Sequence, residues 1–158
     1  MLTNFGGGIP DEDSHGASQE HPFSRGTVLM PWQAGPLEGI SGPVFVSVTD
    51  FLTTSRSEVQ LVYETGLDLG RTWPVMHGAV GLWLWGRPSE FRGGSISVWE
   101  TEADMRRFVR WPVHAEIVRK WRRRVRIATD SWEAAQFDAT QIWARSRDTL
   151  EQPHRHAP

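Results

Sequence analysis

The 158-residue chain contains no cysteine. That excludes disulfides, thiolate zinc sites and a cysteine nucleophile, and it is compatible with a reducing compartment. Long apolar runs are missing as well: VFVSV and AVGLWLW are strand-sized, far short of a bilayer span, and MLTNFGGGIP has neither a basic start nor an apolar signal core. The expectation is a cytoplasmic protein with no membrane partner. No G-x-S-x-G or H-E-x-x-H occurs, and Gly6-Gly7-Gly8 precedes no helical pattern, so hydrolase, zinc-protease and nucleotide-loop chemistries lack support. His15, His21, His154 and His156 fall in terminal segments, and the HRH pair has no third ligand at a metal-binding spacing. The net charge of −2 favours no acidic partner overall. Against one tyrosine stand nine tryptophans. Tryptophan fills cores and also holds planar ligands, so the excess hints at what is enclosed without naming a reaction.

The length suits one domain with a real core. Residues 1–24, with their glycines and acidic Asp11, Glu12 and Asp13, read as a disordered tail. Residues 25–41, broken by Gly and Pro, read as an extended arm, and residues 145–158 as a polar C-terminal tail. No internal repeat is visible, so the fold is expected from residues 42–144. There PVFVSVTDF alternates as a strand, and Ser55-x-x-Glu58 opens a helix that stops at Gly70. AVGLWLWG and GGSISVWE follow as a hairpin across RPSEFR, Thr101-x-x-Asp104 opens a second helix, and IATDSWEAAQF is a last strand. The order β-α-β-β-α-β predicts an α+β ferredoxin-like antiparallel sheet with both helices on one face.

Strand alternation predicts one aliphatic face of Val44, Val46, Val48, Leu82, Leu84, Ile96 and Val98, which suits the helices. The other face would carry Phe45, Ser47, Thr49, Trp83, Trp85, Ser95, Ser97 and Trp99. Three tryptophans left in water would form an apolar patch that soluble monomers avoid, so that face needs a cover, either a second subunit enclosing a cavity or a stacked nucleic-acid strand. RNA-recognition motifs place stacking rings on the third strand, where RGGSISVW has Gly94 and Ile96 instead. The run Arg119, Lys120, Arg122, Arg123, Arg124 and Arg126 lies on or beyond the second helix, away from the tryptophans, where the helix dipole favours cations. It reads as solvated surface, with no nucleic-acid partner expected.

Pro112 breaks that helix near Trp111 and restarts it. Beyond the break His114, Ile117, Val118, Trp121 and Val125 share one face, so His114 points inward. It is either a core histidine satisfied by a backbone carbonyl, or a general base or heme ligand on a cavity wall. His77 sits before a strand edge and Arg87 at a strand end, where an arginine can clamp a substrate carboxylate; turn and solvated roles are the plainer readings of both.

The run SISVWETEADMRRFVRWPVHAEIVRKWRRR, with its strand end VWE, acidic helix start, Phe108 and a histidine after the break, resembles the antibiotic-biosynthesis-monooxygenase type of dimeric α/β barrel. Over about residues 43–138 it is most similar to the branch of spheroidene monooxygenase and small actinobacterial homologues. The resemblance implies a homodimer of ferredoxin-like subunits packed sheet on sheet, with a small apolar, flat substrate, aromatic or polyketide-like, in each subunit. Oxidoreductase activity in secondary metabolism is then the expectation, with no cofactor, and a heme-binding or non-catalytic accessory dimer as the alternatives. Heme-degrading members place their ligand histidine about one turn later, at Val118 here, on the same helix face. On this reading His114 is the catalytic candidate, and Trp83, Trp85, Trp99, Ser95, Ser97, Phe45, Arg87 and His77 are the substrate-binding candidates.

Overall fold

A computed structural model describes residues 20–154. Of the tail expected over residues 1–24, residues 1–19 lie outside the described residues, whereas Phe23 is buried in the core. Two short strands, β1 (Val28–Leu29) and β2 (Gln33–Ala34), precede β3 (Val44–Leu52), α1 (Arg56–Gly70), β4 (Ala79–Arg87), β5 (Arg92–Trp99), α2 (Glu102–Arg110), α3 (Pro112–Trp121), β6 (Arg126–Ala134) and α4 (Ala139–Leu150). The sheet order is β1-β4-β5-β3-β6, with β2 also on β4 and every pairing antiparallel. Without the arm strands this is the ferredoxin-like arrangement that the β-α-β-β-α-β order predicts.

The predicted helix starts form for the stated reasons. The Ser55 and Thr101 side chains accept hydrogen bonds from the Glu58 and Asp104 amides, both at 3.2 Å. Pro112 opens α3, where its missing N–H costs nothing.

One phase assignment is corrected. Register pairs Leu82 with Ser97 and Leu84 with Ser95, while Trp83 faces Ile96. Since directly paired residues share a face, Leu82 and Leu84 join the hydroxyl side with Phe45, Ser47, Thr49 and Trp99, and Trp83 joins Val46, Val48, Ile96 and Val98. Alternation fixes phase only where one face is polar. β4 is buried along its whole length and reads as a continuous apolar run, and an irregularity between Ala79 and Gly81 shifts its register.

The coverings are exchanged as well. α1, α2 and α3 lie over the hydroxyl face, whereas the valine and Trp83 face is covered by the arm and α4 of the same chain. Trp83, 2% exposed, packs against Trp32 at 4.3 Å, Trp143 at 5.5 Å and Phe137 at 6.0 Å between ring centroids. Gly81 makes room, because a Cβ there would come within 1.9 Å of the Trp32 ring. The expectation that a second subunit must cover exposed tryptophans therefore loses its premise.

Residues 145–150, expected in a polar tail, complete α4, capped by Asp138 accepting from the Gln141 amide at 3.1 Å. Ile142, Ser146 and Leu150 form its buried stripe, and the Ser146 hydroxyl is satisfied by the Ile142 carbonyl at 2.7 Å. Two buried arginines fix the helix end. Arg92 pairs with Asp50 at 2.6 Å and donates to the Leu150 carbonyl at 3.0 Å, and Arg87 donates to the same carbonyl at 3.1 Å.

Candidate functional site

α1 and the α2–α3 pair stand apart over the hydroxyl face and leave a cavity of about 410 Å³ between them and the sheet. Its floor is a field of small hydroxyls: Ser47 and Thr49 from β3, Ser95 and Ser97 from β5, and Thr129 and Ser131 from β6. Small side chains here follow from the register, since cross-strand neighbours must all be short for the helices to ride over an empty space. α1 contributes Val59, Val62, Tyr63 and Leu69, and α3 contributes His114, Ile117, Val118 and Trp121. No aspartate, glutamate, lysine or arginine lines it among the described residues. Such a space takes an uncharged, largely apolar body with a few oriented polar groups.

The floor hydroxyls are partly committed to one another. Thr49 Oγ1 and Ser95 Oγ are 2.8 Å apart, and Thr49 Oγ1 also accepts from the Ser95 amide at 3.1 Å. Ser97 Oγ donates to the Ser47 carbonyl at 3.3 Å and accepts from the Trp99 indole N–H at 3.0 Å. The hydroxyl row is therefore pre-oriented, with little rotamer freedom left to freeze on binding.

His114 is half-buried on the first turn of α3, against the Phe108 ring at 4.3 Å. Its Nδ1 lies 3.2 Å from the Val109 carbonyl. A carbonyl only accepts, so this contact assigns the proton to Nδ1 and leaves Nε2 with its lone pair. Burial pushes the imidazole below its ordinary value, against the weaker raising effect of the Val109 carbonyl, and so favours the neutral base. Tyr63, the one tyrosine in the chain, lies across the cavity on α1, and burial raises its phenol.

The sequence candidates divide. His114, Ser95, Ser97 and Trp85 border the cavity, although the Trp85 ring belongs to the opposite core cluster and donates to the Thr49 carbonyl at 3.1 Å. Trp83 lies on the other side of the sheet. Phe45 and Trp99 are on the cavity side but sit within a packed cluster, Trp99 edge-on to Trp73 at 5.1 Å. Arg87 is 3% exposed and bonded to Thr27 at 2.9 Å, Glu90 at 3.0 Å and the Leu150 carbonyl, so it clamps the arm and α4. His77 is exposed beside Arg107, with Asp104 at 3.3 Å. Burial pushes the Asp104 carboxyl up, but hydrogen bonds from Thr101 and Arg107 outweigh it and hold the group below its usual range.

Sequence reasoning missed Tyr63 and the α1 wall. The signal was present, since Val59, Val62, Tyr63, Gly66 and Leu69 recur at helical spacing, but it is the same signal that a packed core gives. Thr129 and Ser131 were missed because a polar strand reads as solvent-facing.

No family model and no curated protein matches the chain. Among solved structures it is similar to a protein described as an uncharacterized ferredoxin fold protein related to antibiotic biosynthesis monooxygenases, from Listeria monocytogenes 4b F2365. The TM-score is 0.53 at 14% identity over 75% of this chain and 70% of that one. LmHde, a heme-degrading enzyme from Listeria monocytogenes, aligns with a TM-score of 0.48 at 13% identity over 64% and 67% of the two chains. What the chain shares with the first of these structures is the ferredoxin-like α+β fold.

Proposed function

We propose that the protein is a small-molecule enzyme of monooxygenase type, acting on a flat, uncharged, apolar metabolite held between the hydroxyl floor and α1–α3. One observation carries the reading: a charge-free cavity of about 410 Å³ whose wall presents a neutral imidazole with Nε2 left free. The kinship of the similar fold to antibiotic biosynthesis monooxygenases supports it. In this mechanism Nε2 of His114 removes a proton from a hydroxyl or activated CH₂ of the substrate, and Val109 stabilises the imidazolium through Nδ1–H. Floor hydroxyls other than Ser97, whose proton goes to the Ser47 carbonyl, donate to the substrate oxygen. Molecular oxygen is the co-substrate. Oxidation of CH₂ to C=O by O₂ sends one oxygen atom into product and the other, with both hydrogens, into water.

Heme is the second reading, and the fixed tautomer favours it. A ligating histidine donates its other N–H to a carbonyl, as His114 does to Val109, so Nε2 is the atom that would hold the iron. Bound heme would supply oxygen activation. The wall offers no cation to its two carboxylates, which would have to leave through the mouth, so the uncharged ligand fits better.

Quenching of tryptophan fluorescence by planar hydroxyaromatic probes tests the binding step. Saturable quenching that Ser95→Phe weakens at least tenfold is the expected result, and quenching indifferent to that floor substitution overturns it. A Soret band in freshly purified protein, lost in His114→Ala, would replace the first reading by the second. Probe binding without turnover under oxygen would leave a binding protein rather than an enzyme.

A further inference from the structure

Nine of the 17 lysines and arginines lie between residues 106 and 126, on α2, α3, the turn after them and the start of β6. Several are neutralised locally: Arg106 by Glu102, Arg107 by Asp104, Arg119 by Glu116 and Arg124 by Glu58. Arg110, Lys120, Arg122, Arg123 and Arg126 are exposed and have no carboxylate within ion-pair distance among the described residues. Beside them the α2–α3 junction exposes two valines, Val109 at 45% and Val113 at 48%. Val109 also lines the cavity, next to His114.

Apolar side chains flanked by unneutralised cations are the composition of a surface that settles into the headgroup layer of an anionic bilayer. A nucleic-acid surface would need no exposed aliphatics, and a merely solvated helix end would not expose two valines, one of them lining an apolar cavity.

We infer that the exposed side of α2–α3, with Val109, Arg110 and Val113 at the corner and Lys120, Arg122 and Arg123 at the far end of α3, is a peripheral docking surface for anionic lipid membranes that brings the cavity to a lipid-dissolved ligand. The docking stands on the surface alone; the delivery of a ligand rests on the reading of the cavity given above. No helix is long and apolar enough to cross a membrane among the described residues, so the contact is superficial. It departs from the expectation of no membrane partner, and the vesicle assay decides between the two.

The test is co-sedimentation of the full chain with phosphatidylcholine vesicles, with and without one third phosphatidylglycerol. Binding to the anionic vesicles alone, weakening as salt rises, is expected. Lys120→Gln/Arg122→Gln/Arg123→Gln should reduce it on the order of a hundredfold, at roughly the contribution of one surface cation each. Val113→Ser should weaken binding severalfold at high salt, where the apolar part remains. Melting by circular dichroism checks that both variants fold as the wild type does. No vesicle binding at low salt, equal binding to neutral vesicles, or an undiminished triple variant would overturn the inference. So would salt-dependent binding to RNA, lost in the triple variant, without vesicle binding. Because no cavity ligand enters this assay, its failure is separate from failure of the fluorescence titration.

Discussion

The two faces of the sheet are built from the same three central strands, yet one is filled and the other hollow. On the filled face, valines and Trp83 meet Trp32, Phe137 and Trp143 from the arm and α4. On the hollow face, serines and threonines stand beneath helices that stay apart, and Trp99 with Trp73 and Phe108 closes one end. Close packing rewards large interlocking residues, whereas a binding space needs short side chains on a rigid frame. Size of side chain, more than hydrophobicity, separates structure from site here.

The largest effects are expected where that comparison is broken on the filled side. Trp83→Ala removes a fully buried indole from a four-ring cluster and should cost about 3–5 kcal/mol, read as a lower urea midpoint. A loss under about 1 kcal/mol would mean that the arm and α4 do not pack as described. Asp50→Asn comes next, since it removes the nearer carboxylate of buried Arg92 and leaves only the half-exposed Glu90 at 3.8 Å, a loss of roughly 3 kcal/mol. Its midpoint should therefore fall nearly as far as that of Trp83→Ala.

On the hollow side the same measurements should move less while ligand binding moves more. Ser97→Ala withdraws the acceptor of the buried Trp99 indole and should cost about 1–3 kcal/mol. His114→Ala loses one hydrogen bond and contacts to Phe108, about 1 kcal/mol, while abolishing turnover of any substrate that needs Nε2. If His114→Ala instead melts as early as Trp83→Ala and keeps its activity per folded molecule, the histidine belongs to the packing and the catalytic role falls.

The contrast also shows what could be read in advance. Element order, two helix caps and the inward face of α3 were legible because each depends on neighbours in sequence: Ser55 with Glu58, Thr101 with Asp104, His114 with Trp121. Which face Trp83 takes was not, because β4 is buried on both sides and its phase is set by register with β5. α4 escaped notice although Asp138-x-x-Gln141 is a start signal, since its buried stripe contains Ser146 and its outer side is charged. Arg87 looked like a free cation at a strand end. Apart from Glu90, three residues on, its partners lie 60 to 64 residues away in sequence, beyond any local pattern.

The smallest expected effect is a pH dependence, and it reports which state the hollow face is in. Burial holds the His114 pKa below its ordinary 6.5 in the folded chain, whereas the unfolded chain titrates near that value. Above the ordinary value both states carry a neutral ring and the residue adds no slope. Below it the unfolded state binds the proton first, so stability falls as pH drops from about 6.5 toward the folded pKa. His21 is lowered by burial too and acts in the same direction, so the informative quantity is the difference between wild type and a His114→Asn variant. Melting temperatures at pH 7.5 and 5.5 should fall further in the wild type than in the variant. A planar ligand filling the cavity excludes more water from the ring and should widen that gap, because desolvation is the dominant cause of the shift. Equal pH slopes in wild type and variant would mean that the ring is already hydrated, and then the hollow face would not shelter the neutral base on which the proposed chemistry depends.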